Sequence, residues 1–319
     1  MEKLYPSENK ELTISLNPCY FCNLACDFCY LTPEQLNDKQ KIDPDVLARR
    51  LDEVLEAGYD ITHVDLYGGE PSLLPKAYMD ELKLTLFSRG VTDIVVHTNL
   101  TAINDIVLDE DYELSVSYDF TSREKHDLVF NNMLSLERRY NVLTLASRKL
   151  LDTLSADEFV RTFNLLTNAR FIEIKPYSTN QANQQNVQFD EFEQLVYGVI
   201  NHPDRLFEFE NQRLIETALS GERNAFSDDH LYITPRGEFA VLDFDLNDNE
   251  YFRPMASLDE YHRWCENEKR KVNTNSICNS CQFKGHCLSE HLRDVKSLER
   301  SCNGFHNLLV RYQRDVCST

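Results

Sequence analysis

Ten cysteines in a chain of 319 residues fall into two groups. Cys19, Cys22, Cys26 and Cys29 lie near the N-terminus; Cys265, Cys278, Cys281, Cys287, Cys302 and Cys317 lie near the C-terminus, and the 235 residues from 30 to 264 hold none. A disulfide-stapled secreted domain spreads its cysteines more evenly, so two compact groups read as two metal sites. In the first, Cys22, Cys26 and Cys29 form a C-x3-C-x2-C run. Three thiolates that close can grip three irons of a [4Fe–4S] cluster and leave the fourth iron open. A zinc site that recruits Cys19 as its fourth ligand is the alternative.

The second group reads C-x2-C-x5-C-x3-H from Cys278 through Cys281 and Cys287 to His291, with Cys302 beyond. Four Cys/His ligands at short spacing suit tetrahedral zinc, and the C-x5-C-x3-H half resembles the end of an RNA-binding zinc finger. That reading leaves Cys302 without a task. A third feature is Tyr67-Gly68-Gly69-Glu70-Pro71, in which two glycines permit close backbone approach and the carboxylate can pair with an ammonium. The nine His residues show no HExxH spacing. The acidic run Asp243, Asp245, Asp248 and Glu250 reads as a solvated face, with a basic substrate segment as the sharper alternative.

The elements that must carry these motifs alternate. Leu12 to Leu16 reads as a strand, and the first cysteine run follows it directly. Asp43-Pro44 opens a helix that stops near Gly58. Ile61 to Leu66 is a second strand, ending at Gly-Gly-Glu; Pro75 opens a helix to about Ser88; Asp93 to His97 is a third strand. Strands at 112–117, 142–146 and 171–175 follow, with helices at 123–138 and after a Ser155/Glu158 capping box. About six βα units over residues 12–176 argue a parallel sheet with helices outside it, and reactive groups at the C-terminal strand ends. Residues 180–188 are polar and read as a linker, followed by helices near 190–201 and 205–220, a hairpin through Pro235-Arg236-Gly237, and helices flanking the second cysteine group.

The C-x3-C-x2-C run with an aromatic before its third Cys, followed by Gly-Gly-Glu-Pro after the second strand, resembles the radical S-adenosylmethionine (SAM) superfamily over residues 12 to about 176. The resemblance implies an α/β chain built as a partial (β/α)6 TIM-like barrel. It implies that Cys22, Cys26 and Cys29 hold a [4Fe–4S] cluster whose open iron chelates SAM, that Gly68, Gly69 and Glu70 bind the SAM amino group, and that Phe28 meets the adenine. Asn99 lies in Thr98-Asn99-Leu100, where many members have Thr-Asn-Gly. Ser117 and Asp119 fall at ribose or active-site positions, and Arg148 is placed to meet the SAM carboxylate.

The C-terminal segment is similar to the SPASM extension of these enzymes, a small auxiliary-cluster domain. By that likeness Cys278, Cys281, Cys287 and Cys302 hold one auxiliary [4Fe–4S] cluster. His291 stands where a ligand of a further cluster would be, and Gly237 to Leu242 ends in Leu instead of Cys, so that further cluster is absent. The resulting division is 1–180 barrel, 181–228 helical connector and 229–319 SPASM- or twitch-like domain. Cys19 and Cys265 remain as candidate hydrogen-atom donors to a substrate radical; Cys317, two residues from the end, is discounted. The implied activity is reductive cleavage of SAM to a 5′-deoxyadenosyl radical, which takes hydrogen from a substrate. A peptide or protein is the favoured substrate, crosslinked, epimerised or oxidised. A small molecule or modified nucleotide is the alternative, and a zinc-dependent RNA-binding or scaffold protein belongs to another class. A flavodoxin or ferredoxin would supply electrons.

Composition narrows the partners. The formal net charge is −20, so duplex nucleic acid and anionic membranes are disfavoured. Residues 251–319 hold eleven Lys/Arg against eight Asp/Glu, so the acidic excess belongs to residues 1–250 and would suit a basic peptide. No secretory signal or apolar span is visible, which makes the reducing cytoplasm the expected location.

Overall fold

The computed structural model describes residues 11–178, 182–183, 185–226, 228–242, 252–288, 302 and 304–316. Asp243, Asp245, Asp248, Glu250, His291 and Cys317 lie outside the described residues, as do Asn180, Gln181 and Gln184 of the polar stretch.

Six parallel strands form the barrel wall: β1 (Glu11–Leu16), β2 (Asp60–Leu66), β3 (Ile94–Thr98), β4 (Glu113–Ser117), β5 (Tyr140–Ala146) and β6 (Ala169–Pro176). The helices between them are α1 (Pro33–Leu36), α2 (Pro44–Glu56), α3 (Lys76–Phe87), α4 (His126–Ser135), α5 (Arg148–Thr153) and α6 (Ala156–Phe163). Local chemistry sets several boundaries. Asp43 accepts the amides of Asp45 and Val46 at the start of α2, whose Leu47, Leu51 and Val54 turn inward. Ser155 caps α6 by accepting the Glu158 amide. The helix expected from Arg123 begins only at His126, because Phe120 and Lys125 hold positive φ (51° and 55°) and break the turn between them. Arg123 is thereby left in a loop, at the mouth of the barrel.

Beyond β6 come α7 (Phe189–Ile200), the two-residue strand β7 (Glu208–Phe209), α8 (Glu210–Ser220), β8 (His230–Ile233), β9 (Phe239–Leu242), β10 (Phe252–Met255), α9 (Leu258–Thr274), α10 (Ser276–Asn279) and α11 (His306–Val316). All ten strands form one sheet in the order β10-β9-β8-β1-β2-β3-β4-β5-β6-β7. The expected hairpin is β8–β9, and β8 runs parallel to β1, from Thr13↔His230 to Leu16↔Ile233. The hairpin therefore continues the barrel sheet instead of standing apart. β10 adds a third antiparallel strand that sequence spacing did not suggest.

Two apolar cores lie between sheet and helices. One gathers β1–β3, α2, α3 and α9, including Cys19 and Cys265. The other gathers β4–β6, α6–α8 and α11, with Phe283, Leu288 and Phe305 of the second cysteine segment inserted into it. Phe305 packs on Phe192 of α7 with ring centroids 4.7 Å apart, which anchors that segment. Where barrels of this type usually fill their interior with Val, Ile and Leu, this one carries Ser15, Asp65, His97, Ser117, Thr144 and Lys175 along a cavity.

Candidate active site and auxiliary cysteine site

The ends of the parallel strands and the first cysteine loop enclose a cavity of about 510 Å³. It is lined by Cys22, Cys26, Phe28, Cys29, Gly68, Gly69, Glu70, Asn99 and Ser117, so nearly every residue expected around the first cluster converges here. The two glycines achieve this through backbone packing. The Gly69 amide donates to the Cys19 carbonyl (3.0 Å) and the Glu70 amide to the Phe21 carbonyl (2.8 Å). A Cβ on Gly69 would overlap the Tyr20 and Phe21 carbonyls, and one on Gly68 (φ +144°) would lie 2.6 Å from the Cys19 oxygen. The close approach these glycines permit is thus, first of all, that of the cysteine loop itself.

Glu70 is buried (1% exposed) yet well satisfied. Its Oε1 accepts from Ser72 Oγ (2.5 Å) and Thr98 Oγ1 (2.6 Å), and its Oε2 from the Asn99 amide (2.6 Å). Burial raises its pKa, against the pull of these donors. The carboxylate ties the end of β2 to the end of β3 and so presents Asn99. Asn99 Nδ2 in turn points at Cys22 Sγ (3.7 Å).

The three thiols fit a metal cluster by their donors. Besides the Asn99 contact, Arg123 Nη1 points at Cys26 Sγ (3.7 Å) and the Leu31 amide at Cys29 Sγ (3.4 Å). Burial pushes the Cys26 thiol up to about 12 and Cys29 to about 11, and raises Cys22. Without iron these groups stay protonated; iron removes the proton, and N–H donors then stabilise the thiolate. Among the described residues no set of three or more Cys, His, Asp or Glu is gathered for a single ion.

Arg123 escaped the sequence reading. Its guanidinium pairs with the buried Asp119 (2.5 Å), lies 5.4 Å from the Phe28 ring centroid and lines the cavity. Asp119 also accepts the Leu145 amide (2.5 Å), which fixes the pair between β4 and β5. Arg148 is not there. It pairs with Glu191 (2.6 Å) and Asp152 (2.7 Å) at the start of α5, and the cavity lining does not include it. Ser147 caps α5, and Arg148 reaches toward Glu191 of α7 instead of the expected place beside a SAM carboxylate. Cys19 and Cys265, expected as candidate hydrogen donors, are not brought to the cavity either. Both are fully buried in the β1–β3 core, neither lines the cavity, and burial pushes each thiol up to about 12.

A chain of His and Asp side chains runs outward from the cavity wall. His97 Nε2 donates to Asp65 Oδ1 (2.8 Å), His63 Nε2 donates to the same oxygen (3.2 Å), and His63 Nδ1 donates to the exposed Asp93 (2.9 Å). Burial would lower the His63 pKa, but hydrogen bonds and charge from Asp65 and Asp93 prevail and push it up to about 9. The signal for Asp65 and His97 was present in the sequence as polar residues near the C-terminal ends of barrel strands.

The second cysteine group lines another cavity, of about 730 Å³. Cys278, Cys281, Cys287 and Cys302 all face it, with Phe226, Phe283, Gly304 and His306. Asn275 caps α10 by accepting the Ile277 and Cys278 amides, which seats the first thiol. Burial and the neighbouring Cys302, Cys287 and Cys281 sulfurs push Cys278 up to about 11. The Gly304 amide donates to Cys302 Sγ (3.3 Å), and a Cβ on Gly304 would stand 2.8 Å from Cys287 Sγ. The four sulfurs and this glycine make a cradle that fits a cluster. Leu242, at the end of the Gly237 element, lines the first cavity.

Residues 16–166 match the model of the Radical SAM superfamily. No curated protein matches the sequence. Among solved structures, native anSMEcpe with bound AdoMet and Cp18Cys peptide is similar at TM-score 0.65 and 14% identity, over 96% of this chain and 99% of that one. Native anSMEcpe with bound AdoMet is similar at TM-score 0.67 and 13% identity, over 97% and 100%. Streptococcus suis SuiB bound to its precursor peptide SuiA is similar at TM-score 0.62 and 14% identity, over 87% and 71%. The α/β fold with its parallel partial barrel is shared with these structures. The chain carries a radical SAM domain and is a radical SAM enzyme, which works with a [4Fe–4S] cluster and S-adenosylmethionine.

Proposed function

We propose that this chain modifies a peptide or protein by radical chemistry. In this reading a SAM-binding cluster sits at Cys22, Cys26 and Cys29, and one auxiliary [4Fe–4S] cluster at Cys278, Cys281, Cys287 and Cys302. The observation that carries the reading is the convergence of four thiols from 278 to 302 on one cavity, with Gly304 leaving room beside Cys287. The division into barrel (1–180), connector (181–228) and auxiliary domain (229–319) belongs to the same proposal. Peptides are bound to the similar structures anSMEcpe and SuiB, and the acidic residues 1–250 would attract a basic peptide here.

When bound and reduced, the cluster with SAM supplies a 5′-deoxyadenosyl radical that takes hydrogen from an unactivated C–H bond. The residues of this chain would bind and orient. Phe28 offers an apolar face, Gly68 and Gly69 bring the cysteine loop against β2, and Glu70 holds Asn99 at Cys22. Ser117 lines the cavity at the end of β4, and Arg123, rather than Arg148, is the cation we assign to the SAM carboxylate. The enclosing wall excludes water from a reactive intermediate. A reduced flavodoxin or ferredoxin is the proposed electron donor.

The test is anaerobic reconstitution followed by iron and sulfide analysis and incubation with SAM and dithionite. About eight irons per chain, four per cluster, and release of 5′-deoxyadenosine are expected. Zinc in place of iron at the C-terminal cysteines overturns the auxiliary assignment. A basic peptide that raises 5′-deoxyadenosine release and gains or loses mass supports the substrate class; stimulation by nucleosides alone, with none by peptides, overturns it.

A further inference from the structure

Three cationic side chains line the first cavity: Arg123, Lys175 and Arg223. Arg123 is neutralised by Asp119 and Lys175 by Glu173 (2.9 Å). Arg223 differs. Among the described residues no carboxylate lies within ion-pair distance of it, in a chain of net charge −20. Among the described residues its side chain makes one hydrogen bond, from Nε to the backbone carbonyl of Cys287 (3.2 Å). A planar guanidinium whose Nε is engaged still has its terminal nitrogens, which are matched to a carboxylate.

Its place in the fold gives this arrangement a consequence. Arg223 follows α8 and begins a segment whose residues line both cavities. Two residues on, the Ala225 amide donates to the Gly285 carbonyl (3.0 Å), and Ala225 and Phe226 line the second cavity beside Cys287. One short stretch of chain therefore faces the SAM-side cavity through Arg223 and the auxiliary thiols through its neighbours.

We propose that Arg223 is a carboxylate subsite of the first cavity and that its occupancy is felt at the auxiliary cluster. The ligand it would take is an anionic group of the substrate: a side-chain or terminal carboxylate of a peptide. A positive charge fastened to the Cys287 loop favours the more negative, reduced cluster. A carboxylate laid on that charge removes part of the advantage, and linkage requires the reverse effect as well: reduction of the cluster weakens carboxylate binding. The subsite itself needs only Arg223; the coupling rests on the auxiliary cluster proposed above.

The experiment uses the reconstituted, SAM-loaded holoenzyme and glutarate as the probe. Calorimetry should find glutarate binding without displacement of SAM, weakened about tenfold or more in Arg223→Gln and restored in part in Arg223→Lys. An EPR-monitored redox titration should follow the cluster signal that SAM does not perturb. Its midpoint should move to more negative potential on adding glutarate. Arg223→Gln should show that more negative midpoint without glutarate and no further response to it. Unchanged glutarate affinity in Arg223→Gln, absence of binding to the wild type, or competition with SAM overturns the subsite. A midpoint indifferent to both glutarate and substitution overturns the coupling. If the C-terminal cysteines hold no iron, the auxiliary reading fails on its own, and calorimetry still decides the carboxylate subsite.

Discussion

The two cysteine sites are built on opposite principles. The first is the loop from Cys19 to Cys29, clamped between strand ends. Its backbone is hydrogen-bonded to Gly69 and Glu70, and its sulfurs receive donors from Asn99 just after β3 and from Arg123 in the loop after β4, so these contacts come from the ends of parallel strands. The second is spread over residues 278–302 and seated by packing: Phe283, Leu288 and Phe305 are inserted into the core of α7, α8 and α11. One site is fixed by backbone geometry with almost no tolerance for side-chain volume. The other is fixed by apolar burial, which deforms more readily.

The sharpest way to break this contrast is to remove one thiol from each site. Cys26→Ala should reduce 5′-deoxyadenosine release to background. Cys281→Ala should lose about four irons yet keep SAM cleavage without substrate, read by iron analysis and chromatography of the same samples. Comparable loss of cleavage in both variants would make the two sites one functional unit. Next in size is the glycine comparison. Gly69→Ala forces a Cβ into two backbone carbonyls that cannot retreat, with an expected cost of ~3 kcal/mol or more in urea unfolding. Gly304→Ala meets a sulfur on a side chain, so ~1–2 kcal/mol is expected, with weakened retention of the auxiliary irons. Equal costs would erase the distinction between the sites.

Glu70→Gln keeps the shape and replaces an acceptor-only group by one that must also donate. Oxygens that now accept from Ser72, Thr98 and Asn99 would be partly lost, at ~1–3 kcal/mol and with weaker SAM binding measured by calorimetry. The smallest effect concerns pH. The folded His63 pKa, about 9, lies above its unfolded value of about 6.5. The stabilisation from its pairing with Asp65 and Asp93 is therefore fully present below about 6.5 and is lost as pH rises through about 9. The difference in melting temperature between wild type and His63→Gln should shrink across that window. A constant difference from about pH 6 to about pH 9.5 would show that His63 acts through packing alone.

Much of this was legible before any coordinates. The βα alternation shows because Leu47, Leu51 and Val54, or Leu12, Ile14 and Leu16, repeat with the period of the element they build. The cysteines and Gly-Gly-Glu show because their chemistry depends on local spacing. Arg123 did not, because its role depends on two left-handed residues that stop a helix, and on Asp119 across the turn. Arg148 misled because the residue after a strand end points wherever the following cap turns it. Arg223 and the β8–β1 pairing depend on contacts across more than sixty and more than two hundred residues, which no local pattern encodes.

That last pairing bears on how the protein is made. β1 finds one neighbour, β2, within about fifty residues, but its other edge is covered only by β8, with Thr13 opposite His230. At ribosomal rates of about 5–20 residues per second, roughly ten to forty seconds separate the synthesis of those two strands. Through that interval the apolar, β-rich edge of Leu12 to Leu16 stands open to any other nascent strand. The first site can be shaped early, but the wall that shelters it is finished only when the second half of the chain arrives. Slow translation should therefore favour chaperone dependence and aggregation of this chain more than its final stability would suggest.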